Sequence, residues 1–275
     1  MRKTSTLKAQ LSLLSGFFLF LSDMEYCDKN PAAVLLRRLN VNNTHVIDSP
    51  EEDKALSELQ WTSVWQRVNQ LAETQPEKHQ RTKLLFALLY SLYPRVSEIA
   101  ARPGYTPMMS SFIRHRSGQW IFKIPRSKGG KSRMIPCPEA LLTCLVSYRR
   151  YLGLADLPEP DEQTPLFVRH KAGTHGREAG ILHAQLGIEA IRTIVRTVFD
   201  STADLLAITH PHEALELREF SVHSLRHTGI TTSIAAGTPL QVVMKNAGHA
   251  DLSTLSVYIS TDIQQQAAAT VPRAL

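Results

Sequence analysis

The spacing of apolar residues changes near Ser110. Upstream, Trp61, Val64, Trp65, Val68 and Leu71 recur every three or four positions, and Leu84 to Leu92 forms a second apolar run. Both are helical patterns. Residues 111–115, 120–124 and 133–135 instead read as short strands, separated by a Ser-Gly turn and by the turn Lys128-Gly-Gly-Lys131. Such spacing predicts three antiparallel strands. Helical spacing returns over 138–152, 188–199, 222–236 and 238–247, with Gly237 between the last two. A small sheet enclosed by helices places the chain in the α+β class, mainly helical, with one three-stranded antiparallel sheet.

The flanks are less regular. Residues 5–22 read as one helix, Asn30-Pro31 marks a turn, and a polar connection follows from Asn40 to Asp48. Two helix starts compete before Trp61: Ser49-Pro50-Glu51-Glu52, and Ser57-Glu-Leu-Gln60. Each offers a serine N-cap with a carboxylate or amide three positions on. Pro158 to Ile181 is a polar connection around one apolar piece, Leu166-Phe-Val168.

The N-terminal basic residues and the apolar run Leu11–Leu21 imitate a secretory signal, but no small-x-small cleavage site follows. The run is shorter than the roughly 20 apolar residues that span a bilayer, so it reads as a buried helix. Three cysteines, Cys27, Cys137 and Cys144, none in a CxxC pair, make no disulfide framework and fit a reducing cytoplasm.

The net charge of +6 is unevenly placed. Residues 110–150 hold nine basic side chains and one acidic one, Glu139, so the rest of the chain is slightly acidic. A basic excess confined to one segment points to a polyanion such as nucleic acid.

Four stretches carry chemistry. Arg95-Val-Ser-Glu98 opens a helix after Pro94, Lys128 sits in the basic hairpin turn, His223 and Arg226 share a helix face, and Gly248-His249 precedes Tyr258 by nine residues. His223 and His227 lie four apart, but no HExxH glutamate stands between them, so no metal site is expected.

In that order, "PRVSEI", "SKGGKSRMIP", "HSLRHT" and "AGHADLSTLSVY" resemble the arginine, lysine-hairpin, second-arginine and nucleophile boxes of the tyrosine recombinases, the phage-integrase family. The resemblance runs from about residue 55 to 258. It implies a site-specific DNA recombinase or integrase, of the kind carried by mobile elements, that works in the cytoplasm on nucleoid DNA. Arg95 and Arg226 would clamp the scissile phosphate, since guanidiniums pair with phosphate oxygens and stay charged. His223 and His249 would donate hydrogen bonds or move a proton. Lys128 would protonate the departing 5′ oxygen, and Tyr258 would attack phosphorus to form a 3′-phosphotyrosyl link. Glu98 would support the site; Arg126, Lys131 and Arg133 would contact DNA. No cofactor is implied, because the covalent link retains the bond energy. The partners implied are double-stranded DNA and further copies of the chain, a dimer on one site and a tetramer in synapsis. Accessory DNA-bending proteins are also implied, and no membrane.

The same resemblance divides the chain into 1–39, the last helix of a core-binding domain; 40–54, a linker; 55–258, the catalytic domain; and 259–275, a tail. Most of the core-binding domain is expected to be missing, through truncation or a misplaced start. Pro94 replaces a usual Leu, Lys245-Asn-Ala247 replaces apolar residues before Gly-His, and Leu255 replaces a frequent Thr. Two alternatives stay open: a tyrosine-type topoisomerase that relaxes DNA without a partner site, and a catalytically idle DNA-binding remnant.

Overall fold

A computed structural model describes residues 4–23, 30–41, 55–125, 132–170 and 184–248. The chain divides into two compact units, Met1–Glu52 and Asp53–Leu275.

The first unit contains α1 (Thr4–Asp23) and α2 (Pro31–Val41), which pack on one another. Asn30 does more than turn the chain. Its Oδ1 accepts from the Ala33 N–H at 2.9 Å, which caps α2, and its Nδ2 donates to the Ser15 carbonyl at 2.9 Å, which ties the cap to α1. The expected helix at 5–22 is present, but its expected burial is not. Leu11 is buried, whereas Leu13, Phe17 and Leu19 are 78%, 56% and 57% exposed. A single partner helix covers one stripe of α1, and this helix is apolar on more than one side.

The second unit begins with α3 (Glu58–Thr74). Ser57 Oγ accepts from the Gln60 N–H and Gln60 Oε1 accepts from the Ser57 N–H, a reciprocal capping box. The rival start at Ser49 lies outside the described residues. α4 (Pro76–Leu92) is nearly twice the length that its apolar run predicts. Pro76 starts it, and its first turns carry polar side chains that the apolar pattern cannot register. Leu84, Leu85, Phe86, Leu88 and Leu89 are fully buried, so α4 is the central helix, packed against α3 and two later helices.

A single turn, α5 (Val96–Ile99), leads to the sheet of β1 (Phe112–Arg114), β2 (Trp120–Ile124) and β3 (Arg133–Pro136). The strands are antiparallel in chain order, with Phe112 opposite Phe122 and Ile124 opposite Arg133. Phe112, Phe122, Ile124 and Ile135 turn one face of the sheet into the core. Then come α6 (Glu139–Tyr151), α7 (Ile188–Leu206), α8 (Pro211–Glu219), α9 (Val222–Ala235) and α10 (Leu240–Ala247). Leu166, Phe167 and Val168 are buried as their composition predicts. The architecture is mainly helical with one small sheet. Among the described residues no helix is long and apolar enough to cross a membrane.

α9 lies close on α4 because Gly229 has no side chain. A Cβ built there would stand 2.1 Å from the Tyr90 carbonyl oxygen. That contact brings the His223–Arg226 face of α9 to the end of α4.

Candidate active site

Three motifs converge on the end of α4. Pro94 disfavours right-handed helical backbone at Tyr93, which adopts φ +42° and ψ +45° and ends the helix. Arg95 follows as the N-cap of α5. The helix expected after Pro94 is thus only one turn long. Its entry N–H is already used: that of Arg95 donates to Glu98 Oε2 at 2.8 Å.

Glu98 is 4% exposed and accepts from two arginines. Arg133 makes a paired contact, Nη1 to Oε1 at 2.8 Å and Nη2 to Oε2 at 2.7 Å, and Arg95 Nη1 reaches Oε1 at 3.3 Å. Burial alone pushes the Glu98 carboxyl up. The hydrogen bonds and charge of Arg133, followed by those of Arg95, outweigh it and hold the pKa below the usual carboxylate range. Glu98 is therefore an anion whose role is to hold two cations in place.

The three arginines share a second anchor at the end of α10. Arg133 Nε donates to the Asn246 carbonyl at 2.8 Å, Arg226 Nη2 to the Ala247 carbonyl at 2.7 Å, and Arg95 Nη2 to the Gly248 carbonyl at 3.2 Å. Three consecutive carbonyls thus each accept from an arginine of a different motif. They lie where a helix leaves its last C=O groups unpaired and carries partial negative charge. The chain can turn there because Gly248 adopts φ +67°. Lys245-Asn-Ala247, which departs from the apolar pattern expected before Gly-His, forms the last turn of α10.

Arg226 is 4% exposed, and its Nη1 donates to the Tyr93 carbonyl. His223, one turn earlier on α9, keeps access to solvent. Desolvation nevertheless lowers its pKa, and the charges of Arg226, Arg192 and Arg95 lower it further. A histidine that gives up its proton this readily is mainly neutral at pH 7, with one ring nitrogen to donate and one to accept.

Arg95, Glu98, His223 and Arg226 are therefore gathered at one place. Lys128, His249 and Tyr258, with Arg126 and Lys131, lie outside the described residues. Arg133, expected to contact DNA, has a side chain that is 7% exposed and turned inward. The period-two rule carried this signal, because Arg133 sits two residues from buried Ile135 and so shares the inner face of β3.

The basic segment also needs correcting in part. Besides Arg133, Arg149 is buried and pairs with Glu162 at 2.8 and 2.9 Å, and Arg150 pairs with Asp156. Arg114, Arg116 and Lys123 remain exposed. Sequence reasoning missed the Tyr93 carbonyl and Gly229 altogether. A glycine inside an otherwise good helical pattern was the available signal for the second.

The fold is that of DNA recombinase catalytic domains. It superposes on the crystal structure of XerA recombinase with a TM-score of 0.52 (18% identity, covering 96% of this chain and 84% of that one). On the Tn1549 transposon integrase the TM-score is 0.59 (18% identity, 96% and 78%). Residues 62–265 match the Phage integrase family, and the chain belongs to it; it is a tyrosine recombinase, an enzyme of site-specific recombination. Among its relatives, tyrosine recombinase XerC of Thermodesulfovibrio yellowstonii is 24% identical over 276 residues, 96% of this chain and 73% of that one. Tyrosine recombinase XerD of Brucella suis is 27% identical over 261 residues, 90% and 69%.

Proposed function

We propose that the protein cuts and rejoins double-stranded DNA through a 3′-phosphotyrosyl intermediate on Tyr258. The observation that carries this reading is the pair Arg95 and Arg226 on adjacent carbonyls, with His223 one turn away. Two guanidiniums so placed can bind the two non-bridging oxygens of one phosphodiester. They can also stabilise the charge that grows there as a nucleophile attacks, a preorganised arrangement that needs little reorganisation.

The Tyr258 oxygen attacks phosphorus, losing its proton, and the 5′ oxygen leaves, taking a proton from Lys128. A 5′ hydroxyl then attacks the same phosphorus and the tyrosine leaves, so no bond energy is lost between the steps. His223 and His249 donate to the phosphate or carry the proton. Arg126 and Lys131 hold the backbone beside the hairpin in a salt-sensitive manner.

Structural relatives support DNA as the substrate. The Tn1549 integrase was solved with circular intermediate DNA, and XerH recombinase, with a TM-score of 0.54, with its difH site after cleavage. Strand exchange takes place between copies of the chain, a dimer on each site and a tetramer in synapsis, in the cytoplasm and assisted by DNA-bending proteins. A nicked duplex that traps the covalent adduct tests the reading: an adduct that resists denaturation is expected, and none forms if the reading is wrong.

A further inference from the structure

We infer that Arg133 is a positioning residue for strand cleavage and not a DNA contact; this rests on the recombinase chemistry proposed above. All three of its nitrogens donate inside the protein: Nη1 and Nη2 to Glu98 at 2.8 and 2.7 Å, and Nε to the Asn246 carbonyl at 2.8 Å. A phosphate would have to displace the charge-assisted paired contact that binds this guanidinium to the Glu98 carboxylate.

What the residue joins defines its role. Arg133 opens β3, a few residues after Lys128 in the sequence. Through Glu98 it sets Arg95, because the same carboxylate accepts from the Arg95 N–H and touches Arg95 Nη1. Through Asn246 it sets the end of α10, immediately before His249. The fit at that end is close. A Cβ on Gly248 would lie 2.8 Å from Arg133 Nη1, so the guanidinium occupies the space that a side chain would need. One rigid group therefore locates the first arginine, the start of β3 and the end of α10 relative to one another. Lysine, with one point charge, cannot make these three directed bonds. A displacement of about 1 Å in a reacting group costs on the order of 10²-fold in rate, which is the size of defect expected.

The test measures single-turnover cleavage of a nicked duplex at saturating DNA, and DNA affinity across a potassium chloride series. Both are done for wild type, Arg133→Gln, Arg133→Lys and, as a control, Arg150→Gln. Arg133→Gln and Arg133→Lys should both cleave about 10²-fold more slowly, with the salt dependence of binding unchanged, and Arg150→Gln should match wild type. A phosphate contact would instead lower the salt slope by about one and leave the saturated rate intact. That result, or wild-type cleavage by Arg133→Lys, overturns the inference. Thermal unfolding of each preparation shows whether it is folded at the assay temperature, and Arg133→Lys decides the matter if Arg133→Gln does not fold. A wild-type protein that forms no adduct refutes the recombinase reading itself, whereas a wild type that cleaves alongside fully active Arg133 variants refutes only this inference.

Discussion

Arg95 and Arg226 hold neighbouring carbonyl oxygens, Gly248 at 3.2 Å and Ala247 at 2.7 Å, although one precedes the sheet in sequence and the other lies on α9. The end of α10 thus serves as a jig. Its carbonyls and partial negative charge gather the guanidiniums at a fixed spacing. In the proposed reaction, such preorganisation would let electrostatic stabilisation work without moving the donors.

The jig depends on α9 lying close to α4, which Gly229 permits. Gly229→Ala should force the helices apart, since the added carbon meets the Tyr90 oxygen at 2.1 Å and this neighbour is backbone. Overpacking of this kind costs about 1–3 kcal/mol. Urea unfolding should show a lower midpoint at an unchanged slope, and cleavage should fall with it. An unaltered midpoint would mean that the two helices are not held as described.

Two titrations should mark the site. The carboxyl of Glu98 is held below its ordinary value of 4.5, so the unfolded chain binds its proton first as pH falls. Its stabilising contribution is therefore full above pH 4.5 and is lost as pH drops through the lowered folded value. His223 is also lowered, from 6.5, and its contribution is lost in the same direction over a window that begins just below that pH. Unfolding free energies measured from pH 7 downward should decline less steeply below pH 4.5 in Glu98→Gln, and just below pH 6.5 in His223→Gln, than in wild type. Parallel curves would contradict both shifts.

Arg149 carries charge in the basic segment but works inside the fold. It is 2% exposed, holds Glu162 through two bonds and donates to the Ala155 and Leu157 carbonyls. Breaking a fully buried pair costs about 3–5 kcal/mol. Glu162 keeps some contact with water, so roughly 2–3 kcal/mol is expected for Glu162→Gln. Chemical denaturation checks the loss, and a salt series of DNA binding should show no change in slope. A changed slope would return this charge to the DNA-facing surface.

Much of the fold was legible because periodicity reports burial directly. The three strands, α6, α9 and α10 fall within a residue or two of their predicted spans. α4 was read short because Glu77 to Gln80 carry no apolar signal, although they form its first turns. α8 went unread for a similar reason, since Ala214 and Leu217 are its buried positions in an otherwise polar stretch. The order of motifs marked Arg95, Glu98, His223 and Arg226 because each has a distinctive neighbour in sequence. The inner-face place of Arg133 was legible from its spacing to Ile135, whereas its pairing with Glu98 depends on contacts between distant segments. The carbonyl anchors at 246–248 could not be read at all, since backbone acceptors leave no trace in residue type.

The most direct measurement is the covalent adduct. Native protein incubated with a nicked or suicide duplex and run on a denaturing gel should give a protein–DNA species. Protease digestion and mass spectrometry should place the nucleotide on Tyr258. Tyr258→Phe should abolish the species, and Arg226→Ala should reduce its rate of formation by about 10²–10³-fold. An adduct of undiminished yield from Tyr258→Phe, or none from the native chain, would contradict the proposed chemistry.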